Sequence, residues 1–291
     1  MRIYIKCIND LKNLINNKNN YNVRYIDIYR INIYNINDIN DIINYINNFK
    51  RFINLEVLKI YINTGRNYYN KFIQIPDNLI NLKVLEINTI NIKEIPNTLI
   101  NLKWLIISNG INIKELPNNL INLEKLIFNY LSGYNKNNIQ KLPNNLINLK
   151  TLELYYCPNL IELPNNMINL NELIIYECYK LKSLPNDLLN LKSLALYKND
   201  FSNLPNNLYK LEKLKISQCH YIKEIPNTLT NLKELEIYNC LNIKEIPNTL
   251  INLKKIIIYN FALRDFGNGK EKIIFIPSNI KNNLYEFDIK Y

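Results

Sequence analysis

Residues 142–164 read LPNNLINLKTLELYYCPNLIELP, a stretch that opens and closes on the same Leu-Pro and is nearly rewritten by the residues that follow it. Within it and just beyond, Leu149, Leu152, Leu154, Cys157, Leu160 and Leu163 form an apolar frame, LxxLxLxxCxxLxxL, that runs into Pro164. The same frame recurs from Leu170 through Cys178 to Pro185, from Leu211 through Cys219 to Pro226, and from Leu232 through Cys240 to Pro247. Working outward, prolines fall at Pro76, Pro96, Pro117, Pro143, Pro164, Pro185, Pro205, Pro226, Pro247 and Pro277, mostly 20 or 21 residues apart. A fixed period in that range marks a stacked repeat array. The LxL step alternates between core and solvent, which predicts one short parallel strand per repeat. The proline lacks an amide donor and has a fixed φ, so it belongs to a non-sheet segment on the opposite side. No repeat of this length can bury its leucines alone, so neighbours must stack.

This frame resembles the leucine-rich repeat superfamily in its short-repeat form, with Leu-Pro or Ile-Pro at the turn. The resemblance covers residues 55–291, as about ten to eleven repeats. It implies an α/β solenoid with a parallel concave sheet and short or irregular convex segments. It also assigns a place to Cys157, Cys178, Cys219 and Cys240: the slot where the superfamily puts Asn or Cys to satisfy backbone groups after the strand. Other repeats hold Ile90, Gly110, Leu131, Asn199 and Phe261 there.

Residues 1–54 depart from the frame. Ile3 and Ile5, then Val23, Ile26 and Ile28, read as strands. Ile8, Leu11, Leu14 and Ile15, and later Ile39, Ile42, Ile43, Ile46 and Phe49, recur at helical spacing. Asp10 and Asp38 or Asp41 are candidate helix caps. The expected arrangement is a β-α-β-α N-terminal cap that seals the first coil, with an adaptor-docking domain as the alternative. Leu284, Phe287 and Ile289 begin one more strand, which is expected either to tolerate exposure or to be covered by a partner.

Composition excludes several function classes. Apolar content of 47 % with 21 % charged residues belongs to an ordered chain, and heavy use of Asn, Ile, Lys and Tyr is attributed to codon bias in an AT-rich genome. The amino terminus has no signal-like apolar run, and no apolar segment is long enough to span a membrane, so a cytoplasmic protein without membrane association is expected. The cysteines are spaced by about 21 residues or its double, unlike zinc sites, and are expected to be inert buried thiols. The only histidine, His220, permits no metal cluster and no Ser-His-Asp or Cys-His arrangement. Glycine-rich phosphate loops are missing. The expectation is a chain with no catalytic or metal-binding residue and no cofactor.

What remains is recognition. The leading expectation is a protein–protein interaction module that binds a protein partner on its concave face; the oligomeric state is left open. One alternative is the substrate-recognition subunit of a ubiquitin-type ligase. Another is polyanion or nucleic-acid binding through a column of Lys83, Lys103, Lys150, Lys192, Lys233 and Lys254, prompted by a net charge of +11. Scarcity of Arg and the interruptions at Glu124 and Glu212 disfavour nucleic acid. The strand pattern nominates Trp104, Ile106 and Ile127 as an apolar spot and Tyr155, Tyr176, Tyr197, Tyr238 and Tyr259 as an aromatic column, together the partner-binding residues. Three insertions, NTGRNYYNKF, LSGYNKNNI and ALRDFGNGKEK, are expected to line one rim.

Overall fold

The computed structural model describes residues 1–17, 22–33, 35–63, 71–89, 92–129, 137–259 and 274–290. Residues 64–70, 131–136 and 262–272, which make up most of the three insertions, lie outside the described residues, and so does the expectation of a shared rim. The chain forms two compact units, Met1–Leu149 and Lys150–Tyr291.

In the first unit the strands are β1 (Arg2–Ile5), β2 (Tyr25–Asn32), β3 (Val57–Asn63), β4 (Val84–Asn88), β5 (Trp104–Ser108) and β6 (Lys125–Asn129). They pair in that order and all in parallel. Helices α1 (Ile8–Asn16) and α2 (Ile36–Asn47) follow β1 and β2. The expected β-α-β-α order is therefore present, but its strands also continue the repeat register: Ile3 pairs with Ile26, Ile26 with Leu58, and Leu58 with Leu85. The two N-terminal coils carry the helices α1 and α2 where the regular repeats carry turns and irregular segments.

Of the expected caps, that of α1 is present and that of α2 differs. Asn35, not an aspartate, caps α2, its Oδ1 accepting the amides of Asn37 at 2.9 Å and Asp38 at 3.0 Å. Asp10 caps α1 from within the first turn, accepting the amides of Lys6 at 2.9 Å and Cys7 at 3.2 Å. Asparagine competes well with aspartate for this role because both present the same short acceptor.

The second unit contains β7 (Thr151–Tyr155), β8 (Glu172–Tyr176), β9 (Ser193–Tyr197), β10 (Lys213–Ser217), β11 (Glu234–Tyr238) and β12 (Lys255–Tyr259), followed by the short helix α3 (Ser278–Lys281) and β13 (Glu286–Lys290). These strands also pair in order and in parallel. In β7, β8, β9, β11 and β12 the second and fourth residues are buried and the first, third and fifth are half-exposed. This is the period-2 alternation expected of LxL. The leucines of the frame are at or near zero exposure, and full burial of each contributes about 1.5–3 kcal/mol.

Asparagine has a structural use that composition did not suggest. In the Asn-Leu step just before the strand, its Nδ2 donates to a carbonyl of the coil before. In the first unit Asn101 reaches Ile80, Asn122 reaches Ile100 and Asn148 reaches Ile121, each at 2.9 Å. In the second, Asn190 reaches Ile168 at 2.7 Å, Asn231 reaches Tyr209 at 2.7 Å and Asn252 reaches Thr230 at 2.8 Å. A second row follows several of the prolines, where Thr228 Oγ1 reaches the Asn206 carbonyl at 2.5 Å and Thr249 Oγ1 that of Asn227 at 2.6 Å. Codon bias alone would not place donors at these two positions in coil after coil.

The slot after the strand is buried as the resemblance implies: Cys157, Cys178, Cys219 and Cys240 are fully buried and free. Each Sγ donates to the carbonyl two residues before it, as Cys178 does to Tyr176 at 3.6 Å and Cys219 to Ser217 at 3.5 Å. Asn199 does the same task more strongly, accepting the Cys178 amide at 3.0 Å and donating to the Ile175 carbonyl at 2.8 Å. In the first unit Asn137 takes this role from outside the regular slot, accepting the Gly110 amide at 3.0 Å and donating to the Asn129 carbonyl at 3.2 Å. Gly110 cannot carry a side chain there, because a Cβ would come within 2.5 Å of Ile107 Cγ2.

Before the slot the backbone turns left-handed, with φ of 51 to 61° at Asn109, Tyr156, Glu177, Lys198, Gln218 and Asn239. In this conformation each amide reaches the last strand carbonyl of the next coil, as from Gln218 to Tyr238 at 2.7 Å and from Lys198 to Ser217 at 2.8 Å. An L-residue gives up about 1–2 kcal/mol to sit in this region.

Two outcomes follow from this construction. Gln218→Val should lower the stability measured by chemical denaturation by about 1–2 kcal/mol, while Gln218→Gly should leave it unchanged or raise it. Under native conditions a thiol reagent should modify exposed Cys7 and spare the four slot cysteines, whose burial, for Cys157, also pushes the thiol pKa up. Rapid native labelling of several thiols would contradict the buried ladder.

Candidate open-face recognition site

The outward-facing strand positions form three rows across the strands of each unit. In the second unit the first row is Thr151, Glu172, Ser193, Lys213, Glu234, Lys255 and Glu286. The third-position row is Glu153, Ile174, Ala195, Lys215, Glu236, Ile257 and Asp288. The fifth-position row holds Tyr155, Tyr176 and Tyr197, then Ser217, then Tyr238 and Tyr259. All five tyrosines nominated from the sequence therefore share one row.

Their rings are in contact along it. Tyr155 and Tyr176 stack with centroids 6.2 Å apart, Tyr176 and Tyr197 lie at 5.7 Å, and Tyr238 meets Tyr259 edge-on at 5.5 Å. Where Ser217 interrupts the row, Lys215 spans the gap, its Nζ 5.9 Å from the Tyr197 ring and 5.2 Å from the Tyr238 ring. Lys198 Nζ lies 5.7 Å from the Tyr176 ring while pairing with Glu177 at 3.0 Å.

The hydroxyls are held as well. Tyr155 donates to Glu153 at 3.3 Å and Tyr238 to Glu236 at 3.1 Å, each to the carboxylate two residues earlier on its own strand. Tyr259 donates to Asp288 on the next strand, and in the first unit Tyr61 donates to Glu86. A partly buried hydroxyl beside a carboxylate resists ionisation. Partial burial, then Glu153, pushes Tyr155 up to about 12, and the Asp288 hydrogen bond pushes Tyr259 up to about 12.

In the first unit the nominated residues spread over two rows. Trp104 begins β5 in register with Val84 and Lys125 and is 48 % exposed. Ile106 is half-exposed and in register with Ile127. Ile127, expected at the surface, is only 8 % exposed and belongs with the core instead. The alternation of β6 does not predict this, since its third, fourth and second residues are all buried.

Three of the six lysines in the column face acids. Lys83 pairs with Glu56 at 3.0 Å, Lys103 with Glu124 at 3.1 Å and Lys233 with Glu212 at 2.8 Å. The interruptions that weakened the column in the sequence are thus its counter-ions. Lys83 and Lys103, with Arg24 and Glu56, line a shallow groove of about 440 Å³ in the first unit.

Two features escaped sequence reasoning. Ile174 and Ile257 occupy the third-position row and are half-exposed, although the strand pattern that nominated Ile106 applies to them equally. The apolar residue inside each Leu-x-Asn-Leu phrase is also exposed, including Ile80, Ile100 and Ile121 in the first unit and Ile168, Leu189 and Ile251 in the second. Among the described residues no three His, Cys, Asp or Glu side chains converge to hold a metal ion, and no helix is long and apolar enough to cross a membrane.

The tyrosine–carboxylate pairing has a measurable pH signature. The folded Tyr155 hydroxyl holds its proton more tightly than an ordinary tyrosine near 10.0, so its stabilising share is complete below that pH and is lost as pH rises toward about 12. In an ultraviolet titration, Glu153→Gln should move one late-ionising tyrosine back toward the ordinary range.

No protein-family model matches the chain, and no curated protein matches it in sequence. Solved structures do. The leucine-rich repeat domain of the type III effector XopL is 23 % identical, with a TM-score of 0.51 over 65 % of this chain and 74 % of that chain. The Toll–Spatzle complex of Drosophila is 16 % identical, with a TM-score of 0.56 over 94 % of this chain; the match spans 44 % of that chain. A leucine-rich-repeat protein of Leptospira interrogans is 18 % identical, with a TM-score of 0.46, and 84 % of this chain and 86 % of that chain are covered. Parallel strands in sequential order, one apolar frame per coil and the buried Cys157, Cys178, Asn199, Cys219 and Cys240 after five of the strands agree with the likeness to the XopL repeat domain, and the chain has the leucine-rich-repeat fold.

Proposed function

We propose that the chain is a protein–protein recognition module that engages its partner on the open face of its strands and carries no chemistry of its own. The observation that carries this reading is the row of Tyr155, Tyr176 and Tyr197, with ring centroids 6.2 and 5.7 Å apart. Tyrosines held by each other and by carboxylates lose little freedom on binding, and aromatic side chains dominate interface hot spots. In the first unit, exposed Trp104, with Ile106 two residues on and Glu86 in register with Ile106, offers aromatic and apolar surface of the same kind.

Polyanion binding draws less support, because Lys83, Lys103 and Lys233 already face acids. In this reading residues 1–54 serve as the N-terminal cap of the array, and the four buried free thiols favour a reducing, intracellular setting.

The test uses a partner isolated by affinity purification and then purified. Tyr176→Ala and Trp104→Ala, each measured separately, should leave the circular dichroism spectrum intact, and at least one should weaken binding by about 2 kcal/mol or more, roughly thirtyfold. Wild-type affinity in both variants would place the interface elsewhere.

A further inference from the structure

The rows of the second unit differ along the sheet in how their acids are matched. Across β10, β11 and β12 they carry Lys213, Lys215 and Lys255 against Glu234 and Glu236, and each acid has a lysine. Lys213 meets Glu234 at 2.8 Å, Lys215 meets Glu236 at 2.9 Å, and Lys255 lies 3.7 Å from Glu236. Across β7, β8 and β9 the only charges on the rows are Glu153 and Glu172. Neither makes an ion pair among the described residues, in a chain whose net charge is +11. Lys198, beside this stretch, is taken by Glu177, and Lys192 stands one residue before β9, outside the rows.

The same sheet shows what such a stretch holds when it is filled. Lys215, at the third position of β10, places its ammonium over Tyr197 and Tyr238 of the two flanking strands and against a third-position carboxylate, Glu236. Two strands earlier, the third position of β8 has related surroundings: Tyr155 and Tyr197 end the flanking strands and Glu153 is the third-position carboxylate beside it, but Tyr176 rather than a serine ends its own strand and closes the row of rings. Glu172 precedes it on its own strand, Tyr176 follows, and the residue at the position itself is Ile174, with the small Ala195 beyond. Lys198 already stands over Tyr176 from the side of Glu177, so what this stretch lacks among the described residues is an ion-pair partner for Glu153 and Glu172.

If the open face binds a protein, as proposed above, the chemistry of that partner can be stated. We infer that the β7–β9 face receives a lysine or arginine side chain of the partner, its cationic head seated over Ile174 between Glu153 and Glu172 and against the rings of Tyr155, Tyr176 and Tyr197. Cation–π attraction and charge pairing act together there, as they do on Lys215.

The experiment uses the full chain labelled with ¹³C-tyrosine and four capped pentapeptides with glycine on both sides of one central residue: arginine, citrulline, lysine or acetyl-lysine. The arginine or lysine peptide should shift the ring signals of Tyr155, Tyr176 and Tyr197 saturably, with the neutral counterparts at least tenfold weaker. Ile174→Lys, which supplies the chain's own ammonium, should abolish the shifts, and so should Glu153→Gln combined with Glu172→Gln. The second variant changes only half-exposed groups and keeps the test valid should Ile174→Lys misfold. Equal response to charged and neutral peptides, or no saturable shift, would overturn the inference. If that happens while Tyr176→Ala still weakens the purified partner, the cation site alone falls and open-face recognition stands; wild-type partner affinity in Tyr176→Ala together with Trp104→Ala removes the recognition reading itself.

Discussion

In each unit one carbonyl per coil receives two amides from the coil that follows. Lys83 accepts from Lys103 at 2.8 Å and Trp104 at 3.0 Å, and Lys192 accepts from Glu212 at 2.9 Å and Lys213 at 3.0 Å. The strand ladder and the asparagine rows likewise join one coil to the next, and the amides of the left-handed turn do so in the opposite direction, because a coil with only a short strand has few partners within itself. Buried backbone groups must be paired, so the neighbouring coil is the source of the pairing. Spacing of the coils, register of the strands and alignment of the surface rows then cease to be independent. The stability of such a stack is a sum over neighbour contacts rather than a property of one central core.

That dependence explains which parts of the fold were legible in the sequence. The LxL alternation, the proline period and the slot cysteines each act at a fixed offset within one repeat, so a one-dimensional pattern exposes them. The N-terminal coils hid their membership because α1 and α2 replace the irregular segment and erase the proline, although Ile26 and Leu58 still share a register. The asparagine rows hid for the opposite reason. Their donors are visible in every phrase, but their acceptors lie 21 or 22 residues earlier in the regular coils, where no local signal marks a carbonyl.

The candidate surface was legible to the same depth. The tyrosine row could be read because strand position alone fixes it. The pairing of Tyr155 with Glu153 and of Lys215 with Glu236 required side-chain direction, and the burial of Ile127 broke the alternation on which its nomination relied. The lysine column illustrates the limit of counting charges. Glu124 and Glu212 look like interruptions in sequence, and in space they are the partners of Lys103 and Lys233.

The asparagine rows have a direction. In each unit the side-chain amide always reaches toward the lower-numbered coil, so a coil carries both the donor its predecessor requires and the carbonyl its successor will use. A duplicated coil inserted between two others would find both needs met without any change to its neighbours. Array length can therefore drift through duplication while the frame stays satisfied. The half-exposed row positions, which the frame does not constrain, remain free to be rewritten coil by coil.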